Sequence, residues 1–350
     1  MAYTLHMKLC MASNAAAADP LSGTTLGGWR IEQQLGGHKH CRVYKARHER
    51  LNRRAAIKVL DSRLAKDEEA VSRFFCEARA VAELGAEHLV DVFDFIYDPK
   101  NGRVAYAMEL LRGHDLRHLL ETNKLLAPTR AARIAAQLCE ALSAIHKVGV
   151  VHRDLNPSNI VLVRRGGDAD YVKLLDFGTA RFPGRVRHET AAGTQVGSPS
   201  YIAPEQATSP DVDARADLYS AGCILHQMLT GKPPYAGASA EDVIANKLNA
   251  RVAPLPLGDY GAGLVSPALA AIVQRLLARD PKDRFPDAQS ARTALLGSTG
   301  MGDPWLADDR TIAVQPLAPK STIAARVRSV GLGVAFAAGL ASGLVLAFIR

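Results

Sequence analysis

The chain has few cysteines, and they are widely separated. Its 350 residues include five, at positions 10, 41, 76, 139 and 223, and no two of them form a CxxC pair. An odd number of scattered cysteines argues against a disulfide framework and favours a reducing, cytosolic environment. The sequence therefore excludes the class of small secreted domains that disulfides hold together.

Aromatic residues are also scarce, at 6% of the chain, although the formal net charge is +8. Much of this charge lies between residues 42 and 58, where Arg47, Arg50, Arg53 and Arg54 flank a predicted connection between strands. Neither a nucleic-acid motif nor an aromatic stacking surface accompanies these arginines, so we expect no nucleic-acid partner. A solvated face close to an anionic membrane surface explains the positive charge.

A long apolar run is absent from the start of the chain but present at its end. Residues 1–27 lack periodicity and contain no apolar run long enough for a signal peptide, so we expect a flexible leader. Residues 329–349 contain no charged residue. As a helix rising about 1.5 Å per residue they would span roughly 30 Å, the thickness of a bilayer core. We predict a transmembrane helix there, preceded by a polar linker at 298–328.

Basic residues next to this apolar segment predict its orientation. Arg326 and Arg328 immediately precede it, which by the positive-inside rule indicates a single-pass protein of the cell membrane with a cytoplasmic N-terminal part. The alternative is a buried C-terminal helix of a globular domain. Ala335, Gly339 and Gly343 recur every four residues. This spacing either allows two such helices to approach in a homodimer or reflects a composition rich in alanine and glycine.

Three short motifs occur in order through the middle of the chain: HRDLNPSN at 152–159, DFG at 176–178 and APE at 203–205. Together they resemble the catalytic core of the eukaryotic-like, or Hanks-type, Ser/Thr protein kinases of bacteria. The resemblance implies an α+β, two-lobed protein kinase fold, with a strand-rich N-lobe at 28–108 and a helical C-lobe at 109–297. It also implies that the protein uses ATP and Mg²⁺ and acts on Ser/Thr hydroxyls of protein substrates.

The motifs would supply the groups that phosphoryl transfer requires. By resemblance, Asp154 accepts or orients the proton of the substrate hydroxyl, and Asn159 and Asp176 bind magnesium through hard oxygen ligands. The apolar segments 160–163 and 172–175 predict two strands around a polar turn. A hairpin of these strands would bring Asn159 and Asp176 together.

An upstream lysine is expected to hold the phosphates of the nucleotide. Lys58, in the sequence Ala-Ile-Lys, resembles the strand lysine that contacts the α and β phosphates. Its usual partner is a helix glutamate, assigned here to Glu77, which follows the acidic helix start at 67–69. By the same resemblance, the nucleotide-binding residues are Leu35, Gly36, Gly37, Val43, Ala56, Lys58 and the backbone of Glu109 and Leu111, next to the gatekeeper Met108.

Two further positions match the family outside the catalytic motifs. Asp217 is expected to brace the catalytic loop, and Arg284 to pair with Glu205 of the APE motif. Regulation is expected in the loop before that motif, where Thr190 and Thr194 are favoured as sites of autophosphorylation. The alternative is that these threonines are ordinary polar loop residues.

Two departures weaken the family pattern. Aligned on Val43, the glycines of the family's GxGxxGxV motif fall on Gly36, His38 and Cys41, so only the first survives. Asn156 stands where the family usually has a lysine that reaches the γ-phosphate. The main hypothesis is an active, membrane-anchored Ser/Thr kinase of cytoplasmic proteins. The departures support its rival, a pseudokinase that serves as a nucleotide-binding scaffold or switch.

The loop from His38 to Cys41 allows two more hypotheses. Its two histidines and its cysteine are potential metal ligands. Alternatively, Cys41 is an exposed thiol whose pKa is lowered by Lys39 and Arg42, and therefore a redox-sensitive group. The simplest interpretation is a polar turn in which cysteine replaces glycine.

Overall fold

The computed structural model describes residues 21–38, 40–98, 101–177, 198–209, 211–249, 252, 255 and 265–299. Six antiparallel strands form a sheet near the N-terminus, in the spatial order β1-β2-β3-β4-β6-β5, and one helix accompanies them. These elements are β1 (Thr25–Leu26), β2 (Trp29–His38), β3 (Cys41–His48), β4 (Arg54–Leu60), α1 (Glu68–Leu84), β5 (Val92–Asp98) and β6 (Arg103–Met108). They make up the strand-rich N-lobe.

Strand β4 is buried on both faces, because alternate residues join two different apolar cores. Ala55, Ile57 and Val59 pack into the core on the outer face, whereas Ala56 and Leu60 join the main core. Successive side chains of a strand point to opposite faces. Lys58 therefore shares the inner face with Ala56 and Leu60.

Helix α1 has a defined start, end and buried face. The Asp67 side chain accepts hydrogen bonds from the backbone N–H groups of Glu69 and Ala70, and Gly85 ends the helix with a φ of 53°. Its buried residues recur at helical spacing and are Ala70, Phe74, Glu77, Ala78 and Val81. A carboxylate thus lies within an apolar stripe, where burying a charge is costly unless it is paired.

Part of the predicted leader belongs to the N-lobe. Leu21 and Leu26 are buried in its outer core, and β1 pairs with the start of β2. The boundary at residue 27 was therefore placed too late, because two isolated leucines give no periodic signal. Residues 1–20 lie outside the described residues.

Helices dominate the second lobe. They are α2 (Leu116–Asn123), α3 (Pro128–Lys147), α4 (Pro204–Thr208), α5 (Arg215–Thr230), α6 (Ala240–Asn249), α7 (Pro267–Leu276) and α8 (Ala288–Ser298). Helix α3 packs against α5 and α8. Gly231 ends α5 with a φ of 79°, where a left-handed conformation favours glycine. Helix α7 ends at Leu276, ahead of a 3₁₀ turn at Pro281–Asp283.

A small sheet carries the catalytic motifs. Its antiparallel strands are β7 (Gly113–Asp115), β8 (Ile160–Arg165) and β9 (Asp168–Leu174). The polar turn predicted at 164–170 is shorter in the structure. Gly166 and Gly167 have φ values of 57° and 88°, which suit a two-residue hairpin turn.

None of the helices within the described part of the chain is both long enough and apolar enough to cross a membrane. The predicted transmembrane helix at 329–349 and nearly all of the predicted linker lie outside the described residues.

Candidate active site

Lys58, Glu77 and Asp176 meet between the two lobes. Lys58 Nζ lies 3.4 Å from Glu77 Oε1 and 2.7 Å from Asp176 Oδ1. Glu77 Oε1 also accepts a hydrogen bond of 2.9 Å from the backbone N–H of Phe177. The predicted ion pair between Lys58 and Glu77 is present and joins β4 to α1, whereas the hydrogen bond from Phe177 joins α1 to the segment that follows β9.

The lysine of this cluster remains a cation although it is buried. Lys58 is 4% exposed and Glu77 is 5% exposed. Burial alone would lower the pKa of Lys58, but Glu77, Tyr106 and Asp176 outweigh it and hold that pKa well above its usual value. A fixed positive charge of this kind suits the contact with phosphate oxygens that the sequence predicts.

The catalytic loop places Asp154 at a cavity of about 560 Å³. Hydroxyl and amide side chains dominate the walls near it, and they belong to Ser158, Ser198, Ser200, Tyr201 and Gln227. The Asp154 backbone carbonyl accepts a hydrogen bond of 2.8 Å from Asn159 Nδ2. Burial raises the pKa of the Asp154 carboxyl, which makes the carboxylate a stronger base.

Asn159 and Asp176 flank the β8–β9 hairpin, as the sequence predicts. Asn159 immediately precedes β8, and its carbonyl accepts a hydrogen bond of 2.8 Å from the N–H of Leu175, next to Asp176. An amide oxygen and a carboxylate are hard ligands of the kind that Mg²⁺ prefers. The chemistry of this pair therefore fits the predicted magnesium site.

Asp217 braces the catalytic loop from α5. Its carboxylate accepts hydrogen bonds from the backbone N–H groups of His152 and Arg153 at 2.8 and 2.9 Å, and His146 Nε2 lies 2.8 Å from it. Burial would raise the pKa of Asp217, but His146, His152 and these hydrogen bonds hold it below its usual value. Sequence reasoning found Asp217 but missed His146. A lone histidine near the end of α3 was the only available signal.

The predicted pair of Arg284 and Glu205 is also present. The two terminal guanidinium nitrogens of Arg284 donate to the two carboxylate oxygens of Glu205 at 2.6 and 2.8 Å. Arg284 is 2% exposed and ends the short 3₁₀ helix Pro281–Asp283 that follows α7, so this bidentate pair fixes the APE segment against that turn.

The β2–β3 hairpin carries the residues predicted to cover the nucleotide. Gly36 pairs with Val43 across the hairpin, and Leu35 and Val43 pack against the main core, which includes the buried Ala56. A Cβ atom at Gly37 would lie 2.7 Å from the Cys41 carbonyl oxygen, whereas one at Gly36 would meet no atom within 4 Å. Close packing therefore requires glycine at position 37.

The connection between the lobes begins at Glu109. Its backbone N–H donates to the Asp91 carbonyl at 2.8 Å, so only its carbonyl is left to face a bound adenine. Its carboxylate accepts hydrogen bonds from the Asp91 N–H at 2.9 Å and from Lys173 Nζ at 2.6 Å. Leu111 follows in the connection to β7. Lys173 was missed, and a lone lysine in an apolar strand was the signal that could have identified it.

The redox hypothesis for Cys41 is wrong. Cys41 is 6% exposed and lies in the main core, and burial raises the pKa of its thiol to about 12. The prediction assumed an exposed loop, but Cys41 begins β3 and faces inward. No cluster of potential metal ligands is found among the residues that the structure describes, and Lys39 is not one of those residues.

The residues expected to carry regulatory phosphate cannot be placed. Thr190 and Thr194, together with Gly178 of the DFG motif, lie outside the described residues. The described part resumes at Ser198, whose N–H donates to Asp154 Oδ1 at 3.3 Å.

Comparison with known families identifies the class of protein that this fold and site define. Residues 29–295 match the protein kinase domain. The chain belongs to this family, and its strand-rich and helical lobes are those of the two-lobed kinase fold that the sequence predicts.

Several relatives are bacterial Ser/Thr protein kinases. The chain is 41% identical over 280 residues to the serine/threonine-protein kinase Pkn1 of Myxococcus xanthus. The aligned region covers 80% of this chain and 39% of Pkn1. It is 37% identical over 273 residues to PknB of Mycolicibacterium smegmatis, with coverages of 77% and 42%. It is 36% identical over 276 residues to PknL of Mycobacterium tuberculosis, with coverages of 78% and 66%. The matches to Pkn1 and PknB thus span less than half of those proteins.

Proposed function

We propose that the protein is an ATP-dependent serine/threonine protein kinase that transfers the terminal phosphoryl group of ATP to hydroxyls of cytoplasmic proteins. The observation that carries this proposal is the series of contacts that brings four residues together. Lys58 pairs with Asp176, the neighbouring Leu175 N–H bonds to the Asn159 carbonyl, and Asn159 bonds to the Asp154 carbonyl. The printed names of relatives such as Pkn1 and PknB, which are serine/threonine-protein kinases, support the same reaction.

Each group has a role in the transfer. Lys58, held by Glu77, would neutralise negative charge on the α and β phosphates. Asp154 would receive the hydroxyl proton while the substrate oxygen forms its bond to phosphorus and the bond from phosphorus to ADP breaks. A bound Mg²⁺ would neutralise charge on the β and γ phosphates, and Asn159 and Asp176 are the residues that would hold it.

The cavity beside Asp154 suits a peptide that carries Ser or Thr. Its hydroxyl and amide walls offer hydrogen bonds to a backbone in extended conformation, and Leu120 and Pro157 add apolar surface. Arg117 and Glu121 at its margin form an ion pair of 2.9 Å. We therefore expect no strong preference for basic or acidic residues next to the phosphorylated hydroxyl.

The location of the protein is a further proposal. The uncharged segment 329–349, preceded by Arg326 and Arg328, would anchor the protein once in the cell membrane with the kinase domain in the cytoplasm. Ala335, Gly339 and Gly343 would allow two anchors to associate. Such a homodimer would favour autophosphorylation of Thr190 or Thr194, because it brings two kinase domains together.

The test is transfer of labelled phosphate from [γ-³²P]ATP and Mg²⁺ by the full-length chain in detergent micelles, with dephosphorylated casein as acceptor. Asp154→Ala should lower the rate by at least about 100-fold, since it removes the proton acceptor. Asp283→Ala, which changes an exposed aspartate that does not line the cavity beside Asp154, is the matched control and should retain the wild-type rate. Equal labelling by wild type and Asp154→Ala would contradict the proposal. Nucleotide binding without any transfer would favour the pseudokinase alternative.

A further inference from the structure

The side chain of Asn156 makes three hydrogen bonds within the catalytic loop. Its Nδ2 donates to the Asp154 backbone carbonyl at 3.1 Å and to Asp154 Oδ1 at 3.2 Å. Its Oδ1 accepts the backbone N–H of Ser158 at 3.0 Å. The amide thus connects the predicted catalytic carboxylate to the next turn of the chain.

These contacts fix one oxygen of the Asp154 carboxylate. Oδ1 accepts hydrogen bonds from Asn156 Nδ2 and from the Ser198 N–H. Within the described part of the chain, no hydrogen bond reaches Oδ2. Because two donors hold Oδ1 from different segments, rotation of the carboxylate about its Cβ–Cγ bond is restricted. Oδ2 is left to accept a proton.

The same amide also organises the turn that bears Asn159. Asn156 is the N-cap of the short 3₁₀ helix Pro157–Asn159, and its Oδ1 satisfies the first free N–H of that helix. A lysine at this position, which the family usually has, carries donors only and could not accept the Ser158 N–H. Asparagine therefore makes a connection that the usual residue cannot make.

We propose that Asn156 is a positioning residue for Asp154, whose amide holds Oδ1 so that Oδ2 receives the proton of the substrate hydroxyl. The inference rests on the proposed phosphoryl transfer and adds to it the residue that directs the general base. It also assigns a role to one of the two departures from the family pattern. Asn156 acts on the carboxylate and not on the γ-phosphate.

Two substitutions separate the parts of this role. Asn156→Asp keeps an oxygen to cap the Ser158 N–H but loses the donor to Asp154, whereas Asn156→Ala loses both. The matched control is Asn246→Asp in α6, where Nδ2 donates to the Ala236 carbonyl at 2.7 Å. This control removes a similar amide donor at a site outside the catalytic machinery.

The experiment measures kcat and KM for MgATP and for casein with the full-length chain in detergent micelles, together with the thermal unfolding midpoint. Loss of a hydrogen bond to a charged group should lower kcat by about 10- to 100-fold in both Asn156 variants. Asn156 lines the cavity beside Asp154, but its amide is engaged by Asp154 and Ser158, so we expect both KM values to stay within about twofold of wild type. We expect the unfolding midpoint of Asn156→Asp and the kinetics of Asn246→Asp to match wild type.

Three results would overturn the inference while leaving the proposed function intact. The first is a kcat above half of the wild-type value in Asn156→Asp. The second is a rise in the KM for MgATP with unchanged kcat, which would place the amide on the nucleotide. The third is a slow Asn156→Asp beside a fully active Asn156→Ala, which would indicate repulsion between carboxylates and not a lost donor. Transfer that survives Asp154→Ala would instead overturn the proposed function itself.

Discussion

At the scale of single residues, the buried charges are held by protein partners because water cannot reach them. Lys58 and Glu77 are both almost fully buried, and Asp217 has no exposed surface. Removing one partner of a buried ion pair strongly destabilises the fold, because the other charge stays buried without compensation. Stability and catalysis therefore depend on the same few pairs.

Removing Lys58 should expose this dependence. Lys58→Met leaves the buried Glu77 without its cation, and we expect the free energy of unfolding to fall by about 3 kcal/mol. The double variant Lys58→Met/Glu77→Gln should recover more than half of that loss, because glutamine is neutral and still accepts the Phe177 N–H. Urea unfolding of the three proteins measures this. A double variant as unstable as the single one would show that the pair is not the cause.

Asp217 should make stability depend on pH in the acid range. Its folded-state pKa lies below the usual value, so its contribution is complete above the unfolded pKa, which is near 4. The contribution is lost as the pH falls through the lower folded pKa. Asp217→Asn should lower the free energy of unfolding at pH 7 by about 2 kcal/mol, because it weakens charge-assisted hydrogen bonds. It should also flatten the fall in stability as the pH drops below the unfolded pKa of about 4, as measured by urea unfolding at a series of acidic pH values. An unchanged acid slope would contradict this assignment.

Residue positions inside motifs were easier to predict than their surroundings. Lys58, Glu77 and Asp217 could be assigned because motif order fixes which segments must meet. The direction in which the Cys41 pKa shifts could not be predicted, because basic residues nearby in the sequence do not show whether the thiol is buried. His146 and Lys173 were missed, since their partners come from distant segments.

At the scale of elements, the two adjacent glycines of the β2–β3 hairpin differ in packing: the backbone of Cys41 lies close to Gly37, whereas Gly36 faces open space. Gly37→Ala would force a Cβ atom against the Cys41 carbonyl, and we expect a loss of about 1–3 kcal/mol in unfolding free energy. Gly36→Ala is the matched variant and should change that free energy by less than about 1 kcal/mol, because its Cβ atom meets open space. Chemical unfolding compares the two, and equal losses would refute the difference in packing.

The sequence pattern predicted whether a segment is a helix or a strand, but it did not always predict the residue at which the element begins or ends. The helix at α1 was predicted from its acidic start, and the β8–β9 hairpin from two apolar segments around a polar turn. The hairpin turn is tighter than predicted, because the pair Gly166 and Gly167 can adopt positive φ where other residues are strained. Leu21 and Leu26 join the N-lobe through tertiary packing, which local spacing does not reveal.

At the scale of the whole molecule, a kinase domain is joined to a segment whose composition predicts a membrane anchor. Residues 1–328 expressed in bacteria should appear in the soluble fraction, whereas the full-length chain should remain with membranes after carbonate extraction, because only the latter carries the apolar segment. Full-length Gly339→Leu/Gly343→Leu is the control and should stay in the membrane. Release of the full-length chain by carbonate would contradict the anchor.

The central claim is that Lys58, Asp154, Asn159 and Asp176 act as one centre for phosphoryl transfer. The most direct measurement is the single-turnover rate of transfer from MgATP by full-length wild type, by Asp154→Ala, by Asp176→Ala and by the double variant. Residues that act as a unit have effects that are far from additive. We predict that each single variant is severely slowed and that the double variant is about as slow as the slower single one. Two effects that multiply, or a wild type that transfers nothing, would contradict the account.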